Sequence, residues 1–328
     1  MTRPNRPWKC ASARRAAAVA ILAAGLARAT PAAAQACCIG GALVSPVRLA
    51  PPEDYAVGLQ TRARNAIGSF GADGSFVSSS LSSSTEQDLE QDLAASFRLA
   101  RRAQIGLVLP YLETHRTGPG VDDWGSGIGD LALNARYDFE LAAEMAYWPG
   151  FALLGGAVFP TGKAVGDGTN PAATDATGTG TYRVSLGVGL EKVHGPLYGA
   201  LNVWTTYSGS NTVTPPSPPG APPGATPSLT TAFPLQLTAL AVGGYVFENE
   251  AAAALYVSFL ERGDTSTNGA TQPASGLRLT TVGATGLLPI AEDWRLAGSV
   301  FTDLLLSSFG RNEQAGAGLS ASLVHAWR

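Results

Sequence analysis

Long apolar runs are missing from most of this chain. Beyond the N-terminus no stretch reaches the roughly 20 residues that a membrane-spanning helix needs, although hydrophobic residues are 45% of the 328 positions. Charge is scarce as well: Asp, Glu, Lys and Arg together make 14%, against roughly 25% in ordinary soluble domains. Histidine is limited to His115, His194 and His325, far apart in sequence, and no metal spacing such as H-x-x-x-H occurs. Gly-x-Gly stretches such as Gly187-Val188-Gly189 lack the strand–turn–helix context and the later acidic residue of a nucleotide loop. The sequence therefore offers no catalytic set, no cofactor site and no metal site. Low charge without a spanning helix leaves two classes. One is a soluble all-β protein; the other is a membrane barrel whose apolar residues face lipid at alternate positions.

What is present begins with a targeting segment. Arg3, Arg6, Lys9, Arg14 and Arg15 form a basic region, Ala16–Leu26 is apolar but too short to span, and Ala34-Gln35-Ala36 is an A-x-A cleavage site. The expected division is a signal peptide at 1–36, an N-terminal periplasmic segment at 37–54 and a barrel at 55–328. Removing the first 36 residues leaves sixteen basic residues against 25 acidic ones, a net charge of −9. That balance argues against nucleic acid as a partner and fits a bacterial cell envelope. Cys37 and Cys38 would then lie at the new N-terminus. Adjacent cysteines close only a strained ring, so a tether or a pairing with another molecule is a plainer role than metal or redox chemistry.

The rest of the chain reads as apolar-alternating segments of strand length. The predicted strands are Tyr55–Asn65, Asp88–Leu99, Gln104–Thr114, Gly129–Leu141, Phe151–Phe159, Tyr182–Glu191, Leu197–Tyr207, Phe233–Phe247, Ala251–Arg262, Leu277–Leu288, Trp294–Leu304 and Gly316–Trp327. Their connections alternate short and long without exception. The long ones include His115–Ile128 and the proline-rich Ser208–Ala232, read as an external spacer because proline cannot join a ladder. Short turns at one end and long loops at the other are how a membrane barrel is organised; a soluble sandwich has no reason to sort its loops by length. In one segment Leu131, Leu133, Ala135, Tyr137, Phe139 and Leu141 share a face, opposite Asp130, Asn134, Arg136, Asp138 and Glu140. Aromatic residues lie near predicted strand ends, where a membrane interface favours them. The fold expected is all-β: a transmembrane antiparallel up-and-down barrel of about twelve strands, in an outer membrane. Its partners are the lipid bilayer, the barrel-assembly machinery and a small-molecule solute.

A charge facing lipid costs roughly 2–4 kcal/mol at the bilayer midplane, so charged residues on the strands are assigned to the lumen. The candidates are Arg62, Arg64, Asp88, Glu90, Asp92, Arg98, Asp130, Arg136, Asp138, Glu140, Arg183, Glu191, Arg278 and Arg295. Both signs are present. The set reads equally as a constriction that selects solutes and as a network that plugs and stiffens a narrow barrel.

Four short motifs carry a family resemblance. Gly127-Ile128-Gly129-Asp130-Leu131 precedes the strand bearing Ala135-Arg136-Tyr137. Phe159-Pro160-Thr161-Gly162 follows a strand. Thr177-Gly178-Thr179-Gly180 precedes another, and Gly195-Pro196 stands in a short turn. In order and spacing, over 125–207, the chain resembles the outer-membrane transporter family associated with the phenol-degradation meta-pathway. The resemblance implies a twelve-strand-like barrel with a role in uptake or efflux of small organic compounds. The Cys37-Cys38-Ile39-Gly40-Gly41 start falls outside that pattern. The expected function is a channel or transporter for small organic, hydrophobic or aromatic, solutes. Its rivals are a non-transporting envelope barrel that presents its loops to a partner, and a membrane-embedded lipid enzyme using His325 and a neighbouring serine.

Overall fold

The computed structural model describes residues 48–50, 52–79, 84–142, 144–145, 147–213 and 228–328. The expected signal peptide, the Cys37-Cys38 pair and the proline-rich stretch 214–227 lie outside the described residues. Twelve long strands form the architecture: β1 (Tyr55–Phe70), β2 (Thr85–Ala100), β3 (Ala103–Gly118), β4 (Leu131–Glu140), β5 (Gly150–Phe159) and β6 (Arg183–His194), then β7 (Leu197–Ser208), β8 (Gln236–Val246), β9 (Ala252–Arg262), β10 (Leu277–Ala291), β11 (Trp294–Asp303) and β12 (Gln314–Trp327). Each pairs antiparallel with its sequence neighbours, and β1 closes on β12 from Tyr55↔Trp327 to Ser69↔Gln314. Closure leaves the barrel sheet no free edge, which is what allows strands to stand in hydrocarbon. All twelve predicted strands are found, and the short connections all lie at one end.

Outward rows are apolar and exposed, as in Val184, Leu186, Val188 and Leu190 of β6, or Leu255, 70% exposed, on β9. Such a belt is unfavourable in water and is buried by acyl chains. Aromatic rings mark its rim. Tyr55 stacks on Trp327 at 4.9 Å, His325 lies 4.0 Å from Trp327 and 4.6 Å from Trp294, and Phe139 meets Tyr137 and Phe151. The short turn 195–196 is possible because Gly195 adopts φ +58°, a left-handed conformation that costs glycine little.

One predicted loop is not a loop. β3 runs on to Gly118, turns, and Val121–Ile128 pairs back along it, with the His115 and Trp124 rings stacked 4.3 Å apart. Asp and Gly weaken the strand pattern of that segment; cross-strand pairing supplies what local preference does not. The register slips by one residue between Tyr111↔Ile128 and Val108↔Ala132. The slip is a β-bulge at Gly129-Asp130, and it aims Asp130 into the barrel.

Candidate functional site

The lumen is lined unevenly. On β7–β10 the inward rows are mostly apolar: Tyr198, Ala200, Leu240, Val242, Val246, Ala252 and Ala254 form a buried cluster, with Trp204, Tyr256 and Leu287 against it, and Asn202, Thr206 and Thr285 interrupt them. Gly283 leaves room for the Tyr256 ring, since a Cβ there would stand 2.4 Å from it. The charged residues lie mostly opposite, on β1–β6. The sequence reading placed the charges inward but missed this apolar wall, because an all-apolar strand face gives no cue to which side is lumen.

At the short-turn end, five of the predicted lumen residues engage the chain's own N-terminal segment, three directly and two through Glu191. Glu191, 4% exposed, accepts both Nη atoms of Arg48 at 2.5 and 2.8 Å, and Arg136 at 3.0 Å. Arg136 in turn meets Asp138 at 2.7 Å. Arg98 donates to the carbonyl oxygens of Glu53 and Ala50, each at 2.6 Å, and Arg295 pairs with Glu53 at 3.0 Å. Leu49 is buried among Ala56, Ala94, Val324 and Ala326, and Ala50 is buried beside it in sequence. Residues 48–50 and 52–54 therefore sit inside the barrel mouth rather than below it, and these charges brace them. A buried carboxylate with two guanidiniums is fully compensated, whereas any one of them alone would not be.

The long-loop end has a second, separate network. Arg62 pairs with Glu90. Arg64 approaches Asp303 at 3.6 Å and Asp88 at 3.8 Å, and donates to the Gln314 carbonyl at 2.5 Å. Asp88 accepts the Thr114 hydroxyl at 3.0 Å. Asp303, which sequence reasoning overlooked, is buried and accepts the Thr281 hydroxyl and the Gly316 N–H. Its place at the end of β11 gave no cue beyond its charge.

Asp130 draws three of the four motifs together. Its carboxylate accepts the N–H of Gly162, and both the N–H and the hydroxyl of Thr179, at 2.9–3.1 Å; Arg183 lies 3.8 Å away. Thr161 bridges the Gly129 carbonyl and the Leu131 N–H, and the Thr177 hydroxyl donates to the Ile128 carbonyl. Gly178 must be glycine here, because a Cβ would lie 2.4 Å from Asp130 Oδ1. The loop after β5 is thus folded over the mouth and tied to the bulge. Further out, the Lys163 ammonium, with the Thr169 N–H and hydroxyl, holds the Asp175 carboxyl well below the usual carboxylate range.

Between the two networks lie two cavities. The outer one, about 530 Å³, has charged and polar residues (Gln60, Arg62, Glu90, Asp92, Asp130, Arg183) and an apolar bed of Val108, Pro110, Leu112, Ala132 and Val158; Ala176–Thr179 of the folded loop roof it. The inner one, about 250 Å³, is lined by Arg48, Gln104, Arg136, Asn202 and Trp204 among others. Asn134 borders both.

Two predicted lumen residues are not in the lumen. Glu140 is exposed and stands past a register shift after Asp138, opposite the outward Phe151; the bulge breaks the every-other rule. Arg278 pairs with Glu261 on the outward row that continues Leu255 and Val257. There Leu260 and Leu279 take the inward positions as part of the apolar wall, and Arg278 stands at the outer rim. The lipid-enzyme reading finds no geometry. His325 is taken up between two tryptophans with Nδ1 3.1 Å from the Asp293 carbonyl. Among the described residues no serine hydroxyl bonds it.

A closed twelve-strand barrel with an outward apolar belt and aromatic rim defines an outer-membrane β-barrel. Among solved structures, the chain is similar to the COG4313 outer membrane channel from Pseudomonas putida F1, with a TM-score of 0.67 and 16% identity over 84% of this chain and 96% of that one. Weaker likenesses are to the transport unit of the autotransporter AIDA-I from Escherichia coli (TM-score 0.44, 9% identity, 84% and 90% covered) and to the Pseudomonas putida toluene transporter TodX (0.40, 10%, 84% and 89%). The first likeness establishes the fold. No family model matches the sequence, and no curated protein matches it.

Proposed function

We propose that the protein is a passive outer-membrane channel for small organic solutes that carry an apolar body, exported by a signal peptide at 1–36. The observation that supports this is the division of the lumen: an apolar wall on β7–β10 facing a charged one on β1–β6. A purely structural plug would gain from filling the interior, yet two cavities remain along the axis. A water-filled sieve for ions and sugars would have no use for an inward row of Leu240, Val242 and Tyr256. The motif resemblance to a transporter family agrees with this reading, since three of the four motifs meet at Asp130, on the wall of the outer cavity.

In this reading solutes enter beneath the loop tied to Asp130, settle between the two walls, and leave past the segment 48–54 once it yields. Uptake by vesicles carrying the refolded protein tests it. Swelling should be faster for small aromatic alcohols than for sugars of equal size. Vesicles that swell no faster than protein-free ones with every solute would instead support a barrel that only presents its loops to a partner.

A further inference from the structure

One arginine of the lumen is left over from both networks. Arg262 ends the inward row of β9, beyond Tyr256, Ser258 and Leu260, and stands opposite Gln236 of β8. Among the described residues the other lumen arginines all have a carboxylate or a backbone carbonyl against them, the loosest being Arg183, 3.8 Å from Asp130. At the neighbouring rim Arg278 and Arg311 are paired with Glu261 and Asp264. Arg262 has no such partner. No described residue accepts a hydrogen bond from it, and Glu313 acts on it only from beyond ion-pair distance. Its Nε is buried, whereas its two Nη atoms are not, so the forked end of the guanidinium keeps access to solvent. The Phe233 ring lies against the guanidinium, 5.2 Å from centroid to Cζ. Such stacking occupies one face of the cation and leaves its in-plane N–H donors free.

The register neighbours of Arg262 are uncharged. The Gln236 amide has only a 3.5 Å contact with Thr238, so it can offer a further donor. Leu277 stands opposite Arg262 on β10, and Leu260 and Leu279 form the next pair inward; all three are half-buried. A planar fork of donors matches the two oxygens of a carboxylate, and a ring with three leucines matches an apolar body. We propose that the outer end of the apolar wall captures small organic monocarboxylates, with the carboxylate on the Nη fork of Arg262 and the apolar body between Phe233 and Leu260, Leu277 and Leu279. The proposal deepens the channel reading by naming a class of solute; it rests on that reading for passage and not for binding. An alcohol of the same skeleton brings no charge to the fork. Acetate brings the charge and no body.

Calorimetry on the full mature chain, folded in detergent, tests the site with benzoate, benzyl alcohol and acetate. Benzoate should bind about tenfold more tightly than either of the others. Arg262→Gln should bring benzoate down to the level of benzyl alcohol. Arg262→Lys keeps the charge but loses the fork, and should fall between. Because the guanidinium makes no hydrogen bond or ion pair within the fold, Arg262→Gln should keep the heat-dependent electrophoretic mobility of a folded barrel. A variant unable to fold would show that the arginine serves the barrel, and overturns the proposal. Benzyl alcohol or acetate binding as tightly as benzoate also overturns it, as does benzoate binding left unchanged by Arg262→Gln. Planar bilayers and vesicle swelling separate the site from the channel. Benzoate binding by a protein that passes neither benzoate current nor benzyl alcohol keeps the site and sinks the channel. Benzoate and acetate currents of equal size, unaltered in Arg262→Gln, keep the channel and sink the site.

Discussion

Glu191 carries two guanidiniums in a place with almost no water, and this makes it the most consequential single side chain of the short-turn end. Glu191→Ala would break the buried ion pairs with Arg48 and Arg136 and leave Arg136 to Asp138 alone, a loss of roughly 3–5 kcal/mol for a broken buried pair. Its release of the segment 48–54 should appear in planar bilayers as larger and noisier single-channel currents than those of the unaltered protein. Asp130→Ala acts at the other end. It removes the acceptor for two N–H groups and a hydroxyl, each bond to a charged group contributing about 1.5–3 kcal/mol. The loop after β5 should then be cut by protease at concentrations that leave the unaltered protein intact. Asp175 gives that loop a pH dependence. Its folded-state pKa is lowered, chiefly by the Lys163 ammonium, so its contribution is whole above the unfolded value of roughly 3.9. It fades only as pH falls further, toward the folded value. Protease resistance of the loop should therefore persist at about pH 4, and Asp175→Asn should weaken it already at neutral pH.

At the scale of strands, what matters is which row faces lipid. Val188 stands on the outward face of β6, five residues in from the Arg183 end. Val188→Arg should cost roughly 2–4 kcal/mol if that level is the bilayer midplane, measured as a lower urea midpoint in lipid vesicles. The period-two pattern made β4 and β6 legible in the sequence, because each alternates apolar with charged or small residues over its whole length. Where the pattern failed, a specific competitor won. The bulge after Asp138 threw Glu140 off the inward face. On β9 and β10 both faces are largely apolar, so alternation gave no direction and Arg278 was assigned to the wrong side. The segment Val121–Ile128 looked like a loop because its strand character comes from pairing with β3 and not from its own residues. Of the site, the charges were visible and their partners were not. Asp130 binds residues about 30–50 positions away, and Arg48 meets Glu191 across 143 positions; no local reading of the chain brings those pairs together.

For the molecule as a whole, the outward belt requires that the folded chain be carried in detergent or lipid. Stripped of both, it should aggregate, which light scattering would report at once. The uneven lining has a different consequence. Because the greasy wall and the charged wall occupy fixed sides of a tube made of L-residues, two mirror-image amphiphiles cannot offer head and body to both walls in the same way. The enantiomers of α-methylbenzylamine should thus cross vesicles that carry the protein at unequal speeds, and bare vesicles at equal ones. A passage blind to handedness would mean that the walls never touch what goes through.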